Sequence, residues 1–142
     1  MTAFDTLPTG VAGVGYDRSA LATGIVHLGL GGFARAHLAH YTHDLMEADT
    51  DARRWGIRGV GLREENGPLI AALVAQDGLY TLTERDDAGA RSTVIGSLAG
   101  VIDASADTAP VLDAIDRDAV GIVSLTVTEH GYCLDRASRT LD

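Results

Sequence analysis

The hexapeptide Gly29-Leu30-Gly31-Gly32-Phe33-Ala34 has residue types and spacing suited to holding a phosphate. It is a GxGxxA pattern. In such a turn the first glycine permits a tight bend, and the second leaves bare backbone for a pyrophosphate to approach. The small residue at the end lets the following helix pack close to its sheet. The start of that helix adds unpaired N–H groups and a partial positive charge facing the phosphates. Gly29, Gly31 and Gly32 are therefore candidate cofactor-binding residues. The same string also arises as a sterically required turn with no ligand, so its surroundings must decide.

A second signal is acidic. Glu64 and Glu65 follow Arg63 just past an apolar run, where a carboxylate would accept hydrogen bonds from the adenosine ribose hydroxyls. They lie beyond the usual spacing of about 20 residues from the glycine turn, and the polar connection from Asp49 to Arg54 accounts for the excess. A carboxylate here repels a 2′-phosphate, which favours NAD over NADP. Arg63 pulls the other way, because an arginine can accept that phosphate. The plainer alternative is two solvated loop glutamates.

Other chemical residues carry less. His37, His40 and His43 are spaced in threes, but such steps drift by about 60° each around a helix. No cysteine or carboxylate set completes a zinc site, so no metal is expected. Glu129 and His130 are adjacent, and neighbours on a strand point to opposite faces, so they should not act as a direct acid/base pair. Cys133 has Asp135 and Glu129 nearby, which would raise rather than lower its pKa.

The elements that must position these residues read as alternating strands and helices. Gly24 to Leu28 is a short apolar strand feeding the turn. A helix is expected from about Phe33 to Ala48, with an apolar stripe of Ala34, Leu38, Tyr41, Leu45 and Ala48. Trp55 to Leu62 reads as a second strand, in which Gly59 and Gly61 allow a neighbour to come close. Pro68 opens a second helix that Asp77-Gly78 ends. Leu79 to Glu84 and about Ser92 to Leu98 form a hairpin around Asp86-Asp87-Ala88-Gly89. Thr108 can cap a helix carrying Val111, Leu112 and Ile115, and the β-branched run Ala119 to Thr128 suits a central parallel strand.

The fold class is thus α/β: Rossmann-like, with a mostly parallel sheet, helices on both faces and one hairpin. Residues 1–23 read as an N-terminal extension and 24–142 as the cofactor domain. Only four or five strands are visible where a complete doubly wound domain has six, so the domain is expected to be incomplete.

Composition narrows the partners. The chain of 142 residues has a net charge of −9 and no lysine, whereas a nucleic-acid surface needs clustered basic residues. No apolar run approaches the roughly 20 residues of a membrane span. The single cysteine excludes an intrachain disulfide, and a cytoplasmic setting is the expectation.

Four blocks in order, IVHLGLGGFARAHLAHYTHDLM, WGIRGVGLRE, AQDGLYTLTERD and IVSLTVTEHGYCLD, resemble the N-terminal domain of the long-chain mannitol dehydrogenase and fructuronate reductase family. The resemblance covers about Gly24 to Asp142. It implies a Rossmann-type cofactor domain, no required metal, and hydride transfer between nicotinamide and a sugar alcohol, ketose or keto-uronate. It places Gly29, Gly31, Phe33 and Arg35 on the phosphate loop, and Glu64 and Glu65 at the ribose. Thr126, Thr128 and Glu129 fall at the end of the strand approaching the nicotinamide. Two positions depart from the family: Ala34 stands where histidine is common, and His130 where lysine or glycine is common.

The resemblance also implies that the acid/base lysine, with its asparagine and histidine, belongs to a larger helical C-terminal domain absent here. The chain alone is then expected to bind cofactor weakly and turn over nothing, and a sugar-like substrate binds only if that domain is supplied. Two other readings stand beside it: a catalytically inactive fragment or split-protein half, and an S-adenosylmethionine-binding domain of similar fold.

Overall fold

Runs of β-branched and apolar residues form the strands, and the helices close over both faces of the sheet they make. The computed structural model describes residues 6–127 and two short strands at 134–135 and 140–141. In chain order the elements are β1 (Val11–Ala12), β2 (Thr23–Leu28), α1 (Gly32–Ala36), α2 (Leu38–Ala48), β3 (Gly56–Gly61), α3 (Gly67–Ala75), β4 (Tyr80–Asp86), β5 (Gly89–Ile95), β6 (Leu98–Asp103), α4 (Ala109–Ile115) and β7 (Ile122–Leu125). A pair, β8 (Leu134–Asp135) and β9 (Thr140–Leu141), follows.

The main sheet has the order β6-β3-β2-β7, and every pairing in it is parallel. Each crossover passes over a face of the sheet, as parallel strands require. One face packs Ile25, Ile57 and Leu98 against Leu30, Ala39 of α2 and Ile70 of α3. The other packs Val26 and Val60 against Val111 and Ala114 of α4. Helices therefore cover both faces, as the alternating pattern predicts. The β4–β5 hairpin is also present, antiparallel from Tyr80↔Ile95 to Asp86↔Gly89. It forms a separate three-stranded sheet with β1.

Four details differ from the sequence reading. The helix expected over Phe33 to Ala48 breaks at His37, whose φ of −120° and ψ of −75° are not helical. Beyond the break the buried face of α2 is Ala39, His40, Thr42, His43 and Met46. Tyr41 and Leu45, from the expected apolar stripe, are exposed instead. Polar side chains can face inward there because their bonding is satisfied locally: Thr42 Oγ1 donates to Leu38 O at 2.7 Å.

The strand β6 is absent from the sequence reading, which ends its hairpin strand at Leu98. Gly96 and Ser97 separate β5 from β6, so one apolar stretch is two strands in two sheets. The last strand, β7, is shorter than Ala119 to Thr128 and pairs only with β2 among the described residues. Among the described residues it is the outermost strand of the main sheet, and Ile122, Val123 and Leu125 are exposed. Finally, Thr108 holds the N-cap position of α4 but its side chain makes no capping bond; the Asp107 carboxylate accepts from the Ala109 N–H instead, at 2.9 Å.

Part of the N-terminal stretch packs. Val11 and Ala12 pair with Ser92 and Thr93 of β5. Arg18 donates to the Gly96 and Leu98 carbonyls at 3.0 and 2.8 Å and to the Asp77 carboxylate at 2.6 Å. Asp77 and Gly78 end α3 in the left-handed region, as an Asp-Gly pair allows. Among the described residues no helix is long and apolar enough to cross a membrane.

The same N-terminal stretch buries Tyr16 against His43 of α2, with Tyr16 Oη 3.0 Å from His43 Nδ1. The Gly96 N–H also points at Nδ1, at 3.5 Å. That nitrogen is therefore unprotonated, and the tyrosine donates. Burial pushes the His43 pKa down, while Glu47 and Asp44 pull it up less strongly and His40 adds to the fall. A group with a depressed folded pKa stabilises the fold above its unfolded value of about 6.5 and loses that contribution as pH falls. The wild type should lose more of its thermal midpoint between about pH 7.5 and 5.5 than His43→Asn, which keeps an acceptor for Tyr16 but cannot titrate. Parallel losses in the two proteins would show that His43 does not carry the acid sensitivity.

Candidate functional site

The strand order reverses between β2 and β7, because the chain leaves β2 toward β3 on one side and returns to β7 on the other. At such a switch point the connecting loops diverge and open a crevice at the carboxyl ends of the strands. The glycine turn lies there. The Gly29 and Leu30 N–H groups both donate to Val60 O, at 3.0 and 2.9 Å, which ties the turn to the end of β3. The Gly31 N–H then folds back onto Gly29 O at 2.7 Å.

The glycines of the turn have different causes. Gly29 has φ +93°, a conformation that side chains disfavour, so the bend itself requires it. Gly31 is extended, at φ −83° and ψ −174°. Among the described residues, a Cβ on Gly31 would meet nothing nearer than Gly29 O at 3.9 Å, and one on Gly32 would meet nothing within 4 Å. The fold leaves this backbone uncovered without needing it to be glycine. The N–H groups of Gly32, Phe33 and Ala34 begin α1 and have no preceding carbonyl inside it. A bare strip of chain bordered by free donors fits a diphosphate.

The rest of the turn is braced from below. Leu30 and Ala34 are buried, and Leu30 fills the space that a side chain on Gly59 would occupy, its Cδ2 lying 2.6 Å from that position. Ile70 fills the corresponding space at Gly61. These contacts explain Gly59 and Gly61, two of the three glycines of β3. Arg35 Nη1 donates to Leu30 O at 3.1 Å, and Tyr80 of the hairpin donates to Arg35 O at 2.6 Å. Arg35 thus braces the loop from its own helix. Phe33 is 65% exposed, with its ring stacked on His37 at 4.4 Å. The His37 ring in turn bonds Phe33 O through Nδ1 at 3.0 Å.

Glu64 and Glu65 sit in a short 3-10 turn directly after β3, and both are exposed. Leu28 and Val60 are register partners, so this turn and the glycine loop emerge at the same end of adjacent strands. Arg63 bonds the Glu65 carboxylate at 3.1 Å. Glu64 has no such partner among the described residues, which makes it the better placed to receive ribose hydroxyls.

Thr126 follows β7 and stands close to the turn: its N–H donates to Leu28 O at 3.3 Å, and its carbonyl lies 4.0 Å from where a Gly29 side chain would start. The structure therefore brings Gly29, Gly31, Gly32, Phe33, Arg35 and Thr126 to one end of the parallel sheet, with the glutamates beside them after β3. Thr128 and Glu129, like His130 and Cys133, lie outside the described residues.

One participant escapes the sequence reading. His27, in β2, is buried at 4% exposure. Its Nδ1 shares a hydrogen bond with Ser124 Oγ at 2.9 Å, and its Nε2 one with Thr126 Oγ1 at 3.1 Å. A histidine inside an otherwise apolar strand was the available signal, but its partners belong to a strand nearly a hundred residues away. The other histidines do not converge: His43 faces Tyr16, and His40 lies 3.4 Å from Asp44. Among the described residues no group of three or more His, Cys, Asp or Glu could hold a metal ion.

The family model described as the mannitol dehydrogenase Rossmann domain matches residues 23–141. Mannitol 2-dehydrogenase of Cereibacter sphaeroides is 45% identical over 120 residues, covering 84% of this chain and 25% of that protein. D-mannonate oxidoreductase of Escherichia coli is 44% identical over 135 residues, covering 93% of this chain and 27% of that protein. Among solved structures, the ternary complex of Pseudomonas fluorescens mannitol 2-dehydrogenase with NAD and D-mannitol superposes with a TM-score of 0.83 at 37% identity. The match covers 94% of this chain and 27% of the other. A substrate-free D-sorbitol dehydrogenase gives the same TM-score at 36% identity, covering 100% of this chain and 30% of the other. The chain spans about a quarter of the length of the curated relatives it matches.

Proposed function

The chain belongs to the mannitol dehydrogenase family through its Rossmann domain, and we propose that it is the NAD-holding part of an oxidoreductase acting on a sugar alcohol, a ketose or a keto-uronate. The observation that carries this reading is the uncovered backbone at Gly31 and Gly32, glycines that no neighbour among the described residues demands. A solved relative named as a complex with NAD and D-mannitol supports the cofactor and the substrate class. A D-mannonate oxidoreductase among the relatives keeps the sugar acids within that class.

In this reading the first-turn N–H groups of α1 receive the pyrophosphate. The Glu64 carboxylate accepts the adenosine ribose hydroxyls and repels a 2′-phosphate, which selects NAD over NADP. Phe33, exposed and stacked on His37, borders the turn, while Arg35 keeps the loop in shape through Leu30 O. Thr126, with Thr128 and Glu129 beyond it, borders the nicotinamide side. When bound, the cofactor supplies the hydride acceptor or donor.

Proton transfer at the reacting carbon needs a further group. With no lysine in the chain, the family's acid/base is not among these residues, so the chain alone binds cofactor without turnover. The single cysteine, Cys133, supports placing the work in the cytoplasm.

Titration of the purified chain with NADH, NADPH and S-adenosylmethionine tests the reading. NADH should bind at least about tenfold more tightly than NADPH, about what one unfavourable charged contact costs. Binding of S-adenosylmethionine without any response to NADH would overturn the assignment.

A further inference from the structure

The geometry points to His27 as a positioning residue that sets the width of the cofactor crevice. This inference rests on the proposed dinucleotide site. The crevice has two walls, the glycine turn after β2 and the segment from Thr126 after β7. His27 is the side chain that joins them. It lies in β2, two residues before Gly29 of the turn, and its ring bonds both Ser124 and Thr126. Ser124 is its register partner, so that bond lies within the sheet and holds β7 alongside β2. Thr126 lies past the last paired residue, Leu125, and its backbone is held to β2 by a single bond, from its N–H to Leu28 O at 3.3 Å. The bond from Nε2 extends the hold by those two residues, to the point where the Thr126 carbonyl faces Gly29.

The chemistry suits a fixed strut. A neutral imidazole has one N–H and one bare nitrogen, and two hydroxyls can complement both. Burial pushes the His27 pKa down, with the Gly29 backbone pulling the other way, so the ring stays neutral and its two bonds persist through the neutral range. No charge is brought to the nicotinamide side, and His27 does not itself touch the cofactor. Its effect passes through Thr126.

Two near-isosteric variants separate the two bonds. His27→Gln places an amide nitrogen near the position of Nε2 and keeps the reach to Thr126. His27→Asn places its amide near Nδ1 and keeps only the reach to Ser124. The same chain carries three measurements: affinity for NADH, affinity for ADP (which lacks the nicotinamide half), and hydrogen exchange at the Thr126 amide, which donates to Leu28 O.

In His27→Asn, NADH affinity should fall about tenfold, the worth of one buried hydrogen bond. ADP affinity should stay within about twofold, and the Thr126 amide should exchange faster. His27→Gln should stay near wild type in all three. Equal behaviour of the two variants would overturn the inference, because packing alone would then explain His27. So would equal losses of NADH and ADP binding. If wild type binds no NADH, the dinucleotide reading fails, while exchange at Thr126 in the two variants still decides whether His27 holds that segment.

Discussion

Gly31→Val should weaken NADH binding roughly a hundredfold, with the thermal midpoint close to that of wild type. The two halves of this expectation have separate causes. Among the described residues a Cβ at position 31 meets only Gly29 O, at 3.9 Å, and the backbone there is extended, a conformation that valine adopts readily. The native fold therefore has room for the variant. A diphosphate laid against the Gly31 backbone does not, because two extra methyl groups would stand where its oxygens approach the N–H donors of α1. Overpacking of this kind costs about 1–3 kcal/mol, and its upper end corresponds to roughly a hundredfold in affinity. Fluorescence titration with NADH beside a melting curve checks both halves at once. Unchanged NADH affinity in a folded Gly31→Val protein would remove the glycine turn from the site.

The opposite outcome is expected at the other end of the sheet. Gly56→Ala should lower stability by about 2–3 kcal/mol, or roughly 5–10 °C in the midpoint for a domain of this size. Gly56 opens β3 where it passes between its neighbours. A single methyl group there would lie 2.5 Å from Ala22 O and 2.9 Å from the Ala99 side chain. One of these contacts is backbone, so the conflict is relieved only by separating strands of the central sheet. Gly67→Ala is the natural control, since Gly67 opens α3 with nothing within 4 Å of the added carbon. A midpoint for Gly56→Ala equal to that of the control would mean that β3 is not held as tightly as the structure places it.

The contrast between these glycines shows how much could be read from the chain alone. The GxGxxA turn and its place between a strand and a helix were legible because the pattern is local: Gly29 answers a demand of the bend itself, and Gly31 and Gly32 follow it directly in the chain. The α/β alternation was legible for the same reason, through apolar runs punctuated by turn residues. What escaped were facts set by distant neighbours. The inward phase of α2 depends on the break at His37 and on Tyr16 reaching His43 from the N-terminal stretch. The separation of β5 from β6 depends on which sheet each one joins. The β-branched composition of β7 marks a strand but does not say whether a further strand lies beside it. His27 was unreadable as part of the site because its meaning lies in Ser124 and Thr126, residues that only the folded sheet brings to it.

The position of β7 has a practical consequence. Its outer N–H and C=O groups have no strand beside them among the described residues, and side chains on both of its faces are greasy and uncovered. Such a rim is a template on which another copy can stack edge to edge. The choice of protein concentration is therefore part of the design of any ligand titration on this chain.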